Sequence, residues 1–186
     1  MPLSRLKKNS SYFIILLNLG AILNLCAQDK PSVEKNQFKI DILAPGFVYE
    51  HGLSAKNTLH SELSVGLGYR YDSYFGSTCD FYPLINEQVR HYYNLEKRVA
   101  KGKVTARNSG NFVAMAAFYN FKSFTTNDSF YSSNSSITFA PLWGYQRTNE
   151  RNFNLDVNMG IGYNIGKHDN SFVPVFSFTL GWVIGK

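Results

Sequence analysis

Residues 59–71, which read LHSELSVGLGYRY, decide the fold class of this chain. From Leu59 onward every second side chain is apolar except Ser61, and the side chains between them are polar, charged or glycine. This period of two predicts a β-strand, because only an extended chain directs successive side chains to opposite faces. The 13 residues exceed the roughly 9–11 that a tilted strand needs to cross a bilayer.

The same alternation recurs along the chain, between segments rich in glycine, serine, asparagine and charged residues. It predicts strands at residues 38–43, 47–51, 59–71, 81–93, 112–121, 137–145, 153–163 and 172–184. Pro45 and Gly46 interrupt the first pair, which forms either two short strands joined by a tight turn or one bulged strand. Counted as two, they bring the total to eight, an even number that suits an up-and-down barrel.

The first residues have the pattern of a secretory signal peptide. Arg5, Lys7 and Lys8 precede an apolar run at residues 12–26, which is followed by Ala27. We expect cleavage after Ala27, then a flexible leader at residues 28–37 and a barrel domain at residues 38–186. Basic residues then fall from 19 to 16 against 13 acidic ones, so the net charge drops from +6 to +3. This balance gives no reason to expect nucleic-acid binding.

Alternation alone fits a soluble β-sandwich as well as a membrane barrel, since both bury one face of each strand. Long strands and aromatic residues near the strand ends favour the membrane, where aromatic rings prefer the two interfaces. One predicted girdle contains Tyr69, Tyr71, Tyr119, Phe121 and Tyr163, and the other contains Tyr92, Tyr93, Tyr145, Phe153 and Trp182. The predicted fold is therefore all-β, an eight-stranded antiparallel up-and-down transmembrane β-barrel with an interior filled by side chains.

One segment carries a resemblance to a known class of proteins. Residues 90–95 (RHYYNL) are followed by Arg98, by Gly102 and Lys103, and by residues 108–112 (NSGNF). This turn resembles one in uncharacterised members of the small eight-stranded barrel proteins of the Gram-negative outer membrane, of the OmpX and OmpA type. The resemblance implies this fold and an outer-membrane location, and it implies no activity.

The polar faces of the strands predict a network inside the barrel, because a narrow interior disfavours an unpaired charge. Its expected members are Asp41, His60, Glu62, Arg70, Gln88, Arg90 and Asp156. Pairing Tyr71 with Asp80 across a loop at residues 72–78 would set Glu62 beside Arg90, so we expect a salt bridge there. Glu87 interrupts the outer face, which means either that a bulge turns it inward or that the assigned phase is wrong.

Residues 94–109 form a basic turn, which the strand count places in the periplasm. Its basic residues are Lys97, Arg98, Lys101, Lys103 and Arg107. They either contact anionic lipid head groups, peptidoglycan or a periplasmic protein, or they form a solvated turn whose side chains extend to the interface. Residues 122–136, rich in serine and asparagine, are predicted to form a surface loop.

Enzymatic signals are weak in this sequence. His60, Ser61 and Glu62 resemble a triad, but neighbours in a strand point to opposite faces. His168, Asp169 and Ser171 could converge in a turn, although loop polarity explains them, and the four histidines lack the spacing of a metal site. We expect a monomeric, non-enzymatic outer-membrane barrel without cofactor, structural or interacting through its loops and basic turn. The alternatives are a lipid-modifying outer-membrane enzyme and a soluble secreted β-barrel that binds a ligand.

Overall fold

A computed structural model describes residues 31–72, 76–122, 124–125, 135–167 and 170–185 of the chain. For residues 67–72, 76–80 and 124–125 it describes the backbone only. Residues Pro31–Lys186 form one compact unit. The predicted signal peptide at residues 1–27 lies outside the described residues, and its removal remains a prediction.

The described residues contain nine strands and one short helix. These elements are β1 (Asn36–Asp41), β2 (Gly46–Gly52), β3 (Asn57–Asp72), β4 (Gly76–Tyr92), α1 (Leu95–Val99), β5 (Asn111–Asn120), β6 (Phe124–Thr125), β7 (Ser136–Thr148), β8 (Phe153–Gly166) and β9 (Asn170–Gly185). No helix in this part of the chain is long and apolar enough to span a membrane.

Eight of the strands form a closed ring in which every neighbouring pair is antiparallel. The order β3-β2-β1-β9-β8-β7-β5-β4 returns to its start through β3–β4 pairing, and β6 pairs only with β4. The ring confirms the all-β, up-and-down part of the predicted fold. Residues 36–52 form two short strands joined by a turn at residues 42–45, which confirms the first of the two alternatives for this hairpin.

The alternation of residue types corresponds to the two faces of the ring. On β3, Leu63 and Val65 are 54% and 41% exposed on the outside, whereas His60 and Glu62 are 4% and 9% exposed on the inside. The predicted phase is confirmed on this strand wherever side chains are described. On β4, Asn86, Gln88 and Arg90 point inward as predicted.

The predicted register between β3 and β4 is wrong. Asp72 pairs with Gly76, so the two strands continue through most of the expected loop. Glu62 therefore lies opposite Asn86, three positions from residue 89, which the pairing of Tyr71 with Asp80 would have placed there. Arg90 lies opposite Thr58. The error has a physical cause, because the residue pairing of a hairpin is fixed by the length of its loop.

The ring has a closed end, called here the helix end, where α1 lies. Val33, Tyr92, Leu95 and Phe112 form a buried apolar cluster there. The leader is attached to this end, since Val33 N donates to Ala55 O at 3.0 Å. Residues 31–37 therefore pack against the ring and enter β1, while residues 28–30 of the predicted leader lie outside the described part of the chain. Tyr92 is fully buried and does not belong to an outer aromatic girdle.

At the far end, opposite the helix end, the wall of the ring has a notch. The β1–β2 hairpin is shorter than its neighbours, and its turn forms its last backbone bonds with Val65 and Leu180. Beyond those two residues, the described part of β3 pairs only with β4, and β9 pairs only with β8. The ring is thus complete near the helix end and open on one side near the far end.

Candidate functional site

Arg90 is the centre of a buried polar network inside the ring. Its side chain is 1% exposed, and its Nη1 lies 2.6 Å from Asp156 Oδ2 and 2.9 Å from Gln146 Oε1. Its Nε donates to Gln88 Oε1 at 2.8 Å, and the guanidinium lies over the Phe112 ring, 4.2 Å from the ring centroid. A buried ion pair needs such additional partners, because attraction alone only partly offsets its desolvation.

Glu50 is the centre of a second group of contacts near the helix end. Its carboxylate accepts hydrogen bonds of 2.8 Å from Lys39 Nζ, Thr58 Oγ1 and Tyr92 OH. Lys39 also donates to Gln146 Oε1 at 3.0 Å, and that oxygen accepts from Arg90 as well. The Gln146 side chain therefore joins the two ion pairs into one network.

Glu62 lies on the side of the network that faces the far end. Its carboxylate accepts from Ser64 Oγ at 2.7 Å and from Asn86 Nδ2 at 2.8 Å. His60 Nε2 lies 3.6 Å from Glu62 Oε2 and 3.4 Å from Arg90 Nη2. The predicted Glu62–Arg90 salt bridge is wrong, since the acidic partner of Arg90 is Asp156 and His60 stands between the two predicted partners.

The structure places the predicted interior residues as follows. His60, Glu62, Gln88, Arg90 and Asp156 are buried and joined by the contacts given above. Asp41 is also buried, and its Oδ1 has no hydrogen-bond partner among the described residues. Arg70 lies in the part of β3 whose side chains are outside the described set.

Sequence reasoning missed several members of the network. Lys39, Glu50, Tyr92 and Gln146 are all less than 3% exposed. The alternation could have found Lys39, which shares a face with Asp41, and Gln146, which shares a face with Gly144. Glu50 gave a weaker signal, because β2 is only seven residues long.

The buried ionisable groups are unequal in number among the described residues. Six of them carry a formal charge when His60 is neutral, namely Asp41, Glu50, Glu62, Asp156, Lys39 and Arg90. Four are acidic and two are basic, so acidic side chains outnumber basic ones among the described interior residues. A cavity of about 10 Å³ lies among them, close to the space that one water molecule needs.

The interior is less completely filled than predicted, because a larger cavity lies beyond Glu62. It has a volume of about 490 Å³ and extends towards the far end. Inward side chains of β3, β4, β5, β7, β8 and β9 line it, among them Asn86, Phe118, Thr138 and Ser177. The helix-end half of the ring is packed, whereas the described side chains of the far-end half leave a partly open space of the size of a small molecule.

Glu87 remains on the outer face, and neither alternative for it holds. It lies opposite Ser61 in the β3–β4 ladder, and Ser61 Oγ donates to Glu87 Oε2 at 2.7 Å. Ser61 is itself the one polar break in the outward face of residues 59–71. The two interruptions of the apolar surface are therefore partners of each other.

The basic turn lies across the helix end of the ring. Lys97, Lys101 and Lys103 are exposed, whereas Arg98 donates to Val104 O at 2.7 Å and braces the turn from within. The backbone carbonyl of Arg107 accepts from Gln37, Gln146 and Thr148 side chains, at 3.3–3.5 Å. The five basic residues thus comprise three exposed lysines, Arg98, whose side chain donates within the turn, and Arg107, whose backbone carbonyl accepts the contacts.

His60, Ser61 and Glu62, which resemble a triad in the sequence, do not come together in the structure. Ser61 lies on the outer face, while His60 and Glu62 lie inside the ring. His168 and Asp169 lie outside the described residues. In the described part of the chain, no group of three His, Cys, Asp or Glu side chains has the geometry to hold a metal ion.

Comparisons of the chain with protein-family models, with curated proteins and with solved structures find no match.

Proposed function

We propose that this protein is a non-enzymatic β-barrel of a bacterial outer membrane, which interacts with its surroundings through its surface loops and its basic turn. One observation carries the proposal: the distribution of polarity is inverted relative to a soluble protein. Among the described residues, buried polar side chains outnumber buried apolar ones by two to one, while many large apolar side chains are exposed.

The outer apolar surface is too large for a monomer in water. Phe47, Phe172, Phe176 and Ile161 are each at least 65% exposed, and similar side chains surround them on all sides of the ring. Burial of one such side chain contributes about 1.5–3 kcal/mol, so their exposure to water would be strongly unfavourable. The hydrocarbon of a bilayer covers the whole circumference, which a single protein partner would not do.

Aromatic side chains on the outer face also support a membrane location. Tyr119, Tyr163 and Phe121 are 38–39% exposed near the far end, and Tyr93 and Trp182 are 47% and 45% exposed near the helix end. Amphipathic rings at two levels fit the two interfaces of a bilayer. The exposed lysines of the basic turn then lie beside the head groups at the helix end, where anionic lipids attract them.

Tryptophan quenching tests the proposal directly. The chain has two tryptophans, and both Trp143 and Trp182 point outward, 42% and 45% exposed. In phosphatidylcholine vesicles, lipids brominated on their acyl chains are expected to quench both, whereas acrylamide in the aqueous phase quenches them weakly. Strong acrylamide quenching without lipid quenching, or recovery of the protein in the soluble periplasmic fraction, would overturn the proposal.

A fractionation experiment complements the fluorescence measurement. The protein is expected in the outer-membrane fraction, with a gel mobility that changes on heating because the folded ring resists detergent at room temperature. As a variant, Ile161→Asp places a charge on the outer face, where an acid costs somewhat less than the roughly 2–4 kcal/mol of a basic residue at the bilayer midplane. Ile161→Leu changes the same side chain without adding a charge and serves as the matched control.

A further inference from the structure

The large cavity has the size and the surroundings of a ligand site. Its volume of about 490 Å³ lies within the range of roughly 300–1,000 Å³ of small-molecule sites. Leu84, Phe118 and Val175 supply apolar surface, and Thr138 and Asn164 supply hydrogen-bonding groups from other strands. The cavity therefore suits a molecule that is partly apolar and partly polar.

The notch in the wall gives this cavity a side entrance. Phe176 and Ser177 both line the cavity although they point to opposite faces of β9, which is possible only where the wall ends. The neighbouring residues Val65 and Gly66 of β3, across the notch, also both line the cavity. The facing edges of the two strands also present backbone groups that have no partner on that side among the described strands.

The charge at the bottom of the cavity selects the polar end of the ligand. Glu62 is the only acidic residue among the described lining side chains, and no basic side chain accompanies it there. Its carboxylate accepts from the neutral side chains of Ser64 and Asn86, and His60 Nε2 lies 3.6 Å from its Oε2. About four acceptor positions are available on a carboxylate. Among the described interior residues acidic side chains outnumber basic ones, even when Asp41 is counted as neutral, which adds to the attraction for a cation.

We propose that this cavity binds an amphipathic amine. The ammonium group donates to the Glu62 carboxylate, and the apolar chain lies along Leu84, Phe118 and Val175 towards the notch between β3 and β9. The inference goes beyond the proposed function and does not depend on it, because the cavity and its charge belong to the folded ring whether or not lipid surrounds it.

Octylamine, octanol and octanoate serve as probes, since they share one chain and differ in the polar end. Each is titrated into the isotopically labelled full-length protein, folded in micelles of a zwitterionic detergent, and backbone amide chemical shifts are followed. We expect saturable shifts at Glu62–Gly66 in β3 and at residues 173–179 in β9. Octylamine is expected to bind about tenfold more tightly than octanol, the effect of one charge-assisted hydrogen bond, and octanoate more weakly than either.

Three variants test the proposal: two remove a negative charge, and one fills the cavity. Glu62→Gln is expected to abolish the preference for the amine, whereas Glu87→Gln, which removes the same charge from the outer face, leaves it unchanged. Ser177→Phe fills the cavity while it keeps Glu62, and it is expected to abolish binding of octylamine and octanol alike. Heat-dependent gel mobility establishes that each variant is folded, and if Glu62→Gln fails to fold, Ser177→Phe decides alone.

Three results would overturn the proposal. The first is equal binding of octylamine and octanol to the unmodified protein. The second is an equal loss of preference in Glu62→Gln and Glu87→Gln, which would mean that the amine partitions onto the surface. The third is unchanged octylamine binding to folded Ser177→Phe. None of these results bears on the tryptophan quenching in vesicles, so the membrane proposal would stand or fall separately.

Discussion

Ser61 Oγ donates a hydrogen bond of 2.7 Å to Glu87 Oε2 across the β3–β4 ladder, on the outer face of the ring. Each residue interrupts an otherwise apolar face, and the register places the two interruptions directly opposite each other. Leu63 and Val89, exposed on the same face, flank this polar pair. The hydroxyl offsets part of the cost of keeping a carboxylate on an apolar surface, but it supplies no opposite charge.

Replacement of Glu87 by leucine is therefore expected to stabilise the protein in a bilayer. An acid on the lipid face is unfavourable, and its loss outweighs one exposed hydrogen bond, so we expect a gain of about 1 kcal/mol in the free energy of unfolding. Urea titration of the protein in phosphatidylcholine vesicles measures the difference. A loss of stability on Glu87→Leu would mean that this part of the outer face is not in contact with hydrocarbon.

The ion pair between Arg90 and Asp156 gives a second prediction, of opposite sign. Arg90→Met leaves Asp156, Gln146 and Gln88 without their shared donor, and a buried charge without its partner costs about 3–5 kcal/mol. The double variant Arg90→Met/Asp156→Leu removes both charges and is expected to recover a large part of this loss. If the double variant is as unstable as Arg90→Met, the lost stability comes from packing against Phe112 and not from the unpaired carboxylate.

The adjacent tyrosines Tyr92 and Tyr93 form a matched pair for a third prediction. The Tyr92 hydroxyl is buried and donates to Glu50 Oε1 at 2.8 Å, whereas the exposed Tyr93 hydroxyl accepts from Trp143 Nε1 at 2.9 Å. Tyr92→Phe removes a hydrogen bond to a buried charge and is expected to cost about 1.5–3 kcal/mol. Tyr93→Phe removes the equivalent hydroxyl group on the outer face and is expected to cost less than about 1 kcal/mol in the same unfolding measurement.

The two tyrosines also show what the sequence could and could not predict. Strand identity and phase followed from the alternation of residue types, which is why the inward positions of Glu62, Arg90 and Asp156 were predictable. Which residues pair across β3 and β4 depends on the register, and the register depends on the length of the turn between the strands. The strands pair as far as Asp72 and Gly76, so that turn is shorter than its composition suggested. Tyr92 was assigned to the outside as an aromatic residue near a strand end, although it alternates with Arg90 on the inner face.

The backbone conformation at the helix end could not be predicted from the sequence either. The basic charge of the turn was visible, but nothing in the composition showed that the Arg107 carbonyl would cover the interior polar groups. Arg107 and Asn108 have positive φ values of 54° and 57°, an uncommon backbone conformation for residues other than glycine. The short leader gave no sign that Val33 would complete the apolar cluster.

The exposed lysines of the basic turn lead to a fourth prediction. Replacement of Lys97, Lys101 and Lys103 by glutamine is expected to leave the fold unchanged and to weaken contact with anionic head groups by about 1 kcal/mol for each lysine. With the protein in nanodiscs of phosphatidylcholine, binding to phosphatidylglycerol vesicles at several salt concentrations measures this contact. Lys122→Gln and Lys167→Gln, at the far end, are the controls, and an equal effect per lysine from them would remove any special role of the turn.

The contact between Gly144 and Phe112 gives the last prediction. Gly144 is buried, and a Cβ atom placed there would collide with the Phe112 ring, the ring over which the Arg90 guanidinium lies. Gly144→Ala is therefore expected to cost about 1–3 kcal/mol, whereas a Cβ atom at Gly185 meets only an ordinary van der Waals contact, its nearest atom being Phe38 Cδ2 at 3.4 Å. If the ring transmits this strain to the ion pair, Gly144→Ala and Arg90→Met will be non-additive in a double-mutant cycle. Strict additivity would mean that the ring moves away without disturbing the Arg90 guanidinium.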